Sequence, residues 1–126
     1  MSIYKDVRDE KHLTELIERE PIWQLLEHDE FNKKVFHVNG HGDLLRQLKP
    51  TSVSQLAATL AIIRPAKRHL ATESWDTIMK EVWQKPEDGS YYFKKAHAVS
   101  YAVAVVVHMN LLCEDMERNE VGLGSI

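Results

Sequence analysis

The stretch KKAHAVSYAVAVVVHMNLLCEDM, residues 94–116, decides how this chain folds. It is almost entirely apolar from Ala96 to Cys113, and as a helix Ala96–Met116 would be roughly 30 Å long at about 1.5 Å per residue. That length would cross a bilayer, although insertion is disfavoured by the polar side chains within it, which are His97, Ser100, His108 and Asn110. We therefore predict a core helix that shorter helices bury nearly all round, with a strand as the alternative because of its β-branched valines.

The rest of the chain shows short amphipathic segments separated by turns. Apolar residues recur at helical spacing from Lys11 to Leu26, and Pro21 divides that stretch into two short helices. A short strand is predicted at Lys34–Val38, before the turn signal of residues 39–42. Further helices are predicted over Asp43–Leu48, Val53–Ile63 and Glu73–Trp83, the last with Thr72 or Ser74 as its N-cap.

Length and composition fit one compact domain. The chain has 126 residues, of which 44% are hydrophobic and 28% charged, and this excludes both a multi-domain enzyme and a disordered chain. We predict a mainly α fold: one small helical domain over residues 1–126 around the long C-terminal helix, with at most a short strand or hairpin. The two ends, about residues 1–10 and 117–126, are expected to be flexible.

The cysteine content and the first residues indicate a compartment. Cys113 is the single cysteine, so no intramolecular disulfide can form. The start MSIYKDVRDE is charged and lacks the apolar region of a secretory signal. The expected location is therefore the cytoplasm.

Basic residues are segregated along the chain and reach the start of the last helix. Residues 31–68 carry seven Lys or Arg against one Asp or Glu, whereas the whole chain has a net charge of −3. Lys94, Lys95 and His97 lie where the last helix should begin, and its positive end is an unfavourable place for cations unless an anion binds there. A phosphate-binding corner is one interpretation; lysines that merely extend into water are the other.

A second basic cluster follows the Val53–Ile63 helix. It consists of Arg64, Lys67 and Arg68. Cations suit the negative end of a helix, so stabilisation of that helix would explain this cluster without any ligand. The functional interpretation requires both clusters to converge on one phosphate.

Other patterns for chemistry are weak. His37 and His41 are four residues apart, but glycines break any helix between them and no third ligand has a recognised zinc spacing, so no metal is expected. Cys113 lies in the apolar stretch and is expected to be a core residue. No glycine-rich phosphate loop or nucleophile elbow occurs, and no cofactor is expected.

Three stretches carry a family resemblance. They are IWQLLEHDEFNKKVFHVNGHGDLLRQLKPTSVSQLAATLAIIRP at 22–65, WDTIMKEVW at 75–83 and YFKKAHAVSYAVAVVV at 92–107. In this order they resemble the fingers region of the bacterial replicative DNA polymerase III alpha subunit, a C-family DNA polymerase. The first and third are the more specific, because both their order and their internal spacing match the family.

That resemblance implies a helical module that helps to form the pocket over an incoming nucleotide. It matches Arg64 with the family's arginine before proline, Lys94 or Lys95 with the basic residue of the last motif, and His97 and Tyr101 with its histidine and tyrosine. Ala66 and Lys67 stand where the family has Gly-Pro. The family's palm domain with its catalytic aspartates has no counterpart in this sequence, so binding without catalysis is implied, as in a viral or mobile-element derivative.

The leading hypothesis is a non-catalytic, replication-related protein that binds the phosphate of a nucleotide or of DNA and does not enter a membrane. Its predicted site residues are Arg64, Lys67, Arg68, Lys94, Lys95, His97 and Tyr101. One alternative is an interaction module that mimics or modulates a polymerase and docks on another replication protein through apolar surface, with Trp23, Trp75 and Trp83 as anchors. The other is an enzyme whose carboxylates, at Glu27–Glu30 and Glu114–Asp115, meet only after folding.

Overall fold

Helices form the regular structure of this chain. The computed structural model describes residues 7–35, 37–63, 65–85 and 94–118, and no strand occurs among them. In chain order the elements are α1 (Glu10–Glu18), a 3₁₀ turn (Trp23–Glu27), α2 (Asp29–Asn32), α3 (Gly42–Leu48), α4 (Val53–Ile62), a 3₁₀ segment (Pro65–Thr72), α5 (Trp75–Glu81) and α6 (Lys95–Arg118). The predicted mainly α fold is confirmed, as is the break in the first helical stretch at Pro21.

The core lies between α4 and α6. Alanines on both helices are fully buried, among them Ala57 and Ala61 on α4 and Ala98 and Ala102 on α6. Small side chains let the two helix axes approach closely, and larger residues such as Met109 fill the space beyond them. Each fully buried large aliphatic side chain, such as Leu56 and Ile62 on α4, contributes about 1.5–3 kcal/mol to the stability of the domain.

The long C-terminal helix is a core helix, but it is not buried along its whole length. Burial begins at Ala98 and extends to Cys113, whereas the first turn, Lys95–His97, is exposed. By length and composition α6 could cross a membrane, and half of its apolar window is buried inside the protein. Core helices of soluble proteins also meet such a criterion.

Serine and aspartate side chains set where three helices begin. Ser52 Oγ accepts from the Gln55 backbone N–H at 3.1 Å and starts α4. Ser74 Oγ accepts from the Thr77 N–H at 3.3 Å, so Ser74 is the N-cap of α5. Asp9 does the same for α1. Such caps satisfy N–H groups that have no partner within the helix, each contributing about 1 kcal/mol.

The strand predicted at Lys34–Val38 is wrong. The backbone turns there instead: the N–H of Lys34 donates to the carbonyl of Phe31 and the N–H of Val35 to that of Asn32, both at 3.0 Å. Val35 and Val38 are both buried. A separation of three residues places both valines toward the core in a turn but on opposite faces of a strand. Phe36, inside this stretch, lies outside the described residues.

Arg46 on α3 ties together the segments before it. Its guanidinium donates to Asp29 at 2.7 Å, to Asp43 at 2.6 Å and to the carbonyl of Glu27 at 3.2 Å. Hydrogen bonds from Arg46, and then from Asn32, lower the pKa of Asp29. Gly42 leaves room for this cluster, because a Cβ there would overlap Asp29 Oδ1 and the carboxylate would have to move.

The ends predicted to be flexible are described only in part, and their flexibility stays a prediction. Glu10 already belongs to α1, and Glu117 belongs to α6. Residues 1–6 and 119–126 of those predictions lie outside the described residues, as does the predicted loop at residues 86–90.

Candidate functional site

The start of α6 gathers exposed cations. Lys94, Lys95 and His97 are all exposed, and the Lys94 carbonyl accepts from the Ala98 N–H at 3.0 Å, which closes the first turn. Within the described ranges neither Lys94 nor Lys95 has a hydrogen bond or ion pair from its ammonium group. The first N–H groups of a helix have no partner in the helix and carry a partial positive charge. Two like charges therefore stand at this end without a compensating anion from the described residues.

Tyr101 lies one turn further along α6 and contacts two imidazoles. The His97 ring meets it edge-to-face with centroids 4.7 Å apart, and the His37 ring meets it in the same way at 4.2 Å. His37 is exposed and has a φ of 68°, in the left-handed region that few non-glycine residues adopt. The turn around His37 is thereby brought to the start of α6, beside the predicted His97 and Tyr101.

Lys67 and Arg68 lie in the 3₁₀ segment, and each donates to a carbonyl at the C-terminal end of a helix. The Lys67 ammonium is buried and donates to the carbonyl of Glu81, the last residue of α5, at 2.9 Å. Arg68 is exposed and donates to the carbonyl of Ile63, just after α4, at 3.2 Å. Both are cations at the negative ends of helices, where the dipole favours them. Arg64 lies outside the described residues, so convergence of the two basic clusters stays a prediction.

Three of the carboxylates considered for catalysis pair with different side chains. Asp29 pairs with Arg46, Glu30 with Lys33 at 3.1 Å, and Glu114 accepts from His12 at 2.8 Å. No group of three or more His, Cys, Asp or Glu that could hold a metal occurs in the part of the chain that the structure describes. These three ion pairs or hydrogen bonds connect parts of the fold, which is a structural role for the carboxylates.

Cys113 and the tryptophans are part of the interior. Cys113 is 4% exposed, and burial raises the pKa of its thiol, which keeps the thiol protonated near neutral pH. Trp23 is 8% exposed, and Trp75 and Trp83 are half-buried against the same core. The prediction that Cys113 is a core residue is confirmed.

His37 is the residue of this corner that the sequence did not indicate as a phosphate-site candidate. Its only sequence signal was the spacing to His41, which suggests a metal rather than contact with an aromatic ring. No protein-family model matches this chain, and neither does any curated protein or solved structure. The resemblance to polymerase fingers therefore depends on the quoted residues alone.

Proposed function

We propose that this chain is a non-catalytic, replication-related protein that resembles polymerase fingers and binds the phosphate of a nucleotide or of DNA at the start of α6. One observation carries the proposal: the exposed ammonium groups of Lys94 and Lys95 stand at the positive end of a helix of 24 residues without a partner among the described residues. Each unfavourable charge at a helix end costs about 0.3–1 kcal/mol. A bound phosphate reverses that cost, because it accepts from backbone N–H groups and ammonium groups together.

The aromatic contacts supply the second part of the site. His97 and His37 are exposed and flank Tyr101. Imidazole N–H groups donate to phosphate or sugar oxygens, and aromatic rings provide surfaces on which a base stacks. In this proposal Lys94 and Lys95 bind phosphate, and the His37–Tyr101–His97 group contacts the sugar or base.

Of the second basic cluster, Arg68 is included in the proposed site and Lys67 is not. Arg68 is exposed and uses one nitrogen for the Ile63 carbonyl, which leaves other N–H groups of its guanidinium for a phosphate. Lys67 is left out, because its buried ammonium holds the Glu81 carbonyl and phosphate binding would compete with that bond.

Calorimetric titration tests the proposal. Wild-type protein is titrated at low salt with a deoxynucleoside triphosphate and with short primed DNA, and both titrations are repeated with Lys94→Ala/Lys95→Ala. We expect binding that the double variant loses and that weakens steeply with salt where DNA is the ligand. The matched control is Lys11→Ala/Lys80→Ala, which removes the same charge from exposed positions on α1 and α5 and should bind like wild type. Absence of heat with both ligands, or equal affinity in the two double variants, would contradict the proposal.

The interaction module of the alternative receives less support. Its tryptophan anchors pack in or against the core, so they are not a ready contact surface. If the titrations fail for both ligands while the protein co-purifies with a replication protein, that alternative takes the place of the phosphate site.

A further inference from the structure

Helix α1 is attached to the domain separately from the main core. Its buried Leu16 packs with Val107 and Leu111 of α6, and Leu13 and Val7 border that small cluster. These residues form a group distinct from the large core between α4 and α6. The packing of α1 thus depends on one face of one helix.

Polar contacts on α6 also hold α1. We call the α6 surface that binds α1, made of Val107, Asn110, Leu111 and Glu114, the seat. Asn110, fully buried on α6, donates from Nδ2 to the carbonyls of Leu16 at 2.8 Å and Arg19 at 3.0 Å, at the end of α1. His12 Nδ1 accepts from the Arg8 N–H at 3.1 Å, which assigns the proton to Nε2 for donation to Glu114. The seat therefore recognises two backbone carbonyls and one imidazole at fixed positions. Another copy of α1 presents the same groups.

A short connection joins α1, which we call the arm, to the core. Arg19 ends α1 with an extended backbone, at a ψ of 126°, and Pro21 is already buried. Rotation at Glu20 would release α1 together with Arg19, whose carbonyl and guanidinium contact α6. The Glu20 carboxylate accepts from the Trp23 indole N–H, so this rotation must either keep or break that hydrogen bond. Glu20 thus lies between the contacts of α1 on α6 and the buried Pro21.

Exposed apolar side chains flank that connection. Among the described residues, the exposed large hydrophobic side chains are Ile17, 45% exposed, and Ile22, 50% exposed. One precedes and the other follows Arg19–Glu20. In a two-fold exchange of arms the two connections run side by side, so isoleucines that face water in the closed chain would meet their equivalents.

We propose that α1 is an exchangeable arm and that two copies of this chain swap it, each α1 occupying the α6 seat of the other copy while Ile17 and Ile22 of both copies pack together at the connections. The contacts in the seat are the same in the closed and swapped forms, so they do not favour either. Burial of the isoleucines favours the dimer, whereas lost translational freedom favours the monomer. The balance therefore depends on protein concentration.

Cross-linking distinguishes the arrangements. Arg19→Cys/Glu117→Cys places thiols at two positions whose native side chains are in contact, one directly after α1 and one on α6, with Cys113→Ala to remove the remaining thiol. Monomer and dimer fractions are separated by size-exclusion chromatography with light scattering and treated with a short bis-thiol reagent. We expect the dimer to become covalent between chains on a denaturing gel, and the monomer to be linked only within its chain.

Substitutions at the connection supply the second readout. Ile17→Ser/Ile22→Ser should lower the dimer association constant by at least about tenfold, while Lys11→Ser/Gln24→Ser, also at exposed positions, should leave it unchanged. Three results would overturn the proposal: a monomer even at millimolar concentration, a dimer cross-linked only within each chain, or a dimer that is indifferent to the isoleucine substitutions.

Discussion

Both ends of α6 carry charges of the sign that the helix dipole disfavours, but the two ends differ in whether these charges have partners within the fold. At the C-terminal end Glu114 bonds to His12 and Glu117 to Arg19, so α1 supplies a partner for each. At the N-terminal end Lys94 and Lys95 have no such partner among the described residues. Charges at a disfavoured helix end are tolerable when another group compensates them. One end has its compensation within the fold, and we propose that the other obtains it from a ligand.

The comparison also separates two kinds of polar contact. At the C-terminal end the groups are ordered: His12 is 4% exposed and Asn110 fully buried. At the N-terminal end the lysines and His97 are exposed, and the His37 and His97 rings contact Tyr101. A buried polar group that loses its partner costs much more than an exposed one. Mutations should therefore destabilise the fold at the C-terminal end, whereas at the N-terminal end they should change binding without destabilising the fold.

The largest effect is expected from Asn110. Asn110→Ala leaves the carbonyls of Leu16 and Arg19 without their donor, at a cost of about 1–3 kcal/mol for the buried Leu16 carbonyl and less for the half-buried Arg19 carbonyl. Asn110→Asp should lower the free energy of unfolding further, because an ionised carboxylate would face two carbonyl oxygens. Urea unfolding monitored by circular dichroism measures both. The control is Ser100→Ala, an exposed residue of the same helix, which should change the free energy of unfolding by less than about 0.5 kcal/mol. Equal stability of the Asn110 and Ser100 variants would refute the contrast between the two ends.

The opposite response is expected from the lysines. Lys94→Glu/Lys95→Glu should stabilise the unliganded protein, by about 0.3–1 kcal/mol for each residue at low salt, because the new charges suit the helix dipole. The same change should abolish phosphate binding. Lys94→Gln/Lys95→Gln should give about half of the stabilisation, and salt should reduce both gains. Thermal unfolding and the calorimetric titration provide the two readouts, and a stabilised variant that still binds would sink the proposed site.

The sequence allowed α6 and the helix starts to be predicted because these depend on local patterns. An apolar run closed by acidic residues identifies α6, and Ser74 is a capping residue by chemistry alone. The strand at Lys34–Val38 was wrong because five residues do not distinguish a period of two from a spacing of three. Short stretches of this kind are decided by the tertiary packing of Val35 and Val38.

The site was predicted less well because its contacts join distant parts of the chain. His37 meets Tyr101 only after the turn packs against α6, and nothing near His37 indicates that contact. Lys67 was assigned to the phosphate site by its charge, whereas its hydrogen bond to Glu81 depends on the approach of α5. From the sequence alone, Asn110 is a polar residue that disfavours membrane insertion. Its role at the end of α1 requires contact between residues at opposite ends of the chain.

The Asp29–Arg46 ion pair lies away from both ends of α6 and can be compared with the charges there. Hydrogen bonds from Arg46 and Asn32 lower the pKa of Asp29, so the bound proton is disfavoured in the folded state. Its contribution to stability is present above the ordinary aspartate pKa of about 3.9 and is lost as the pH falls through the lower pKa of the folded state. Asp29→Asn should therefore flatten the decrease in stability below about pH 4. Urea midpoints between neutral and acidic pH measure this effect, and an unchanged acid slope would show that the pair contributes nothing.

The smallest effect is expected where α1 and α6 meet at the surface. Arg19 and Glu117 form an ion pair at 2.5 Å, but their side chains are 34% and 54% exposed. Pairs of this kind contribute about 0–1 kcal/mol because solvent screens them. A double-mutant cycle with Arg19→Gln and Glu117→Gln should give a coupling energy in the lower half of that range, which decreases further with salt. If the coupling instead matched the loss in Asn110→Ala, surface charge rather than the buried amide would hold α1 in place. The C-terminal end of α6 would then be stabilised by charge compensation alone.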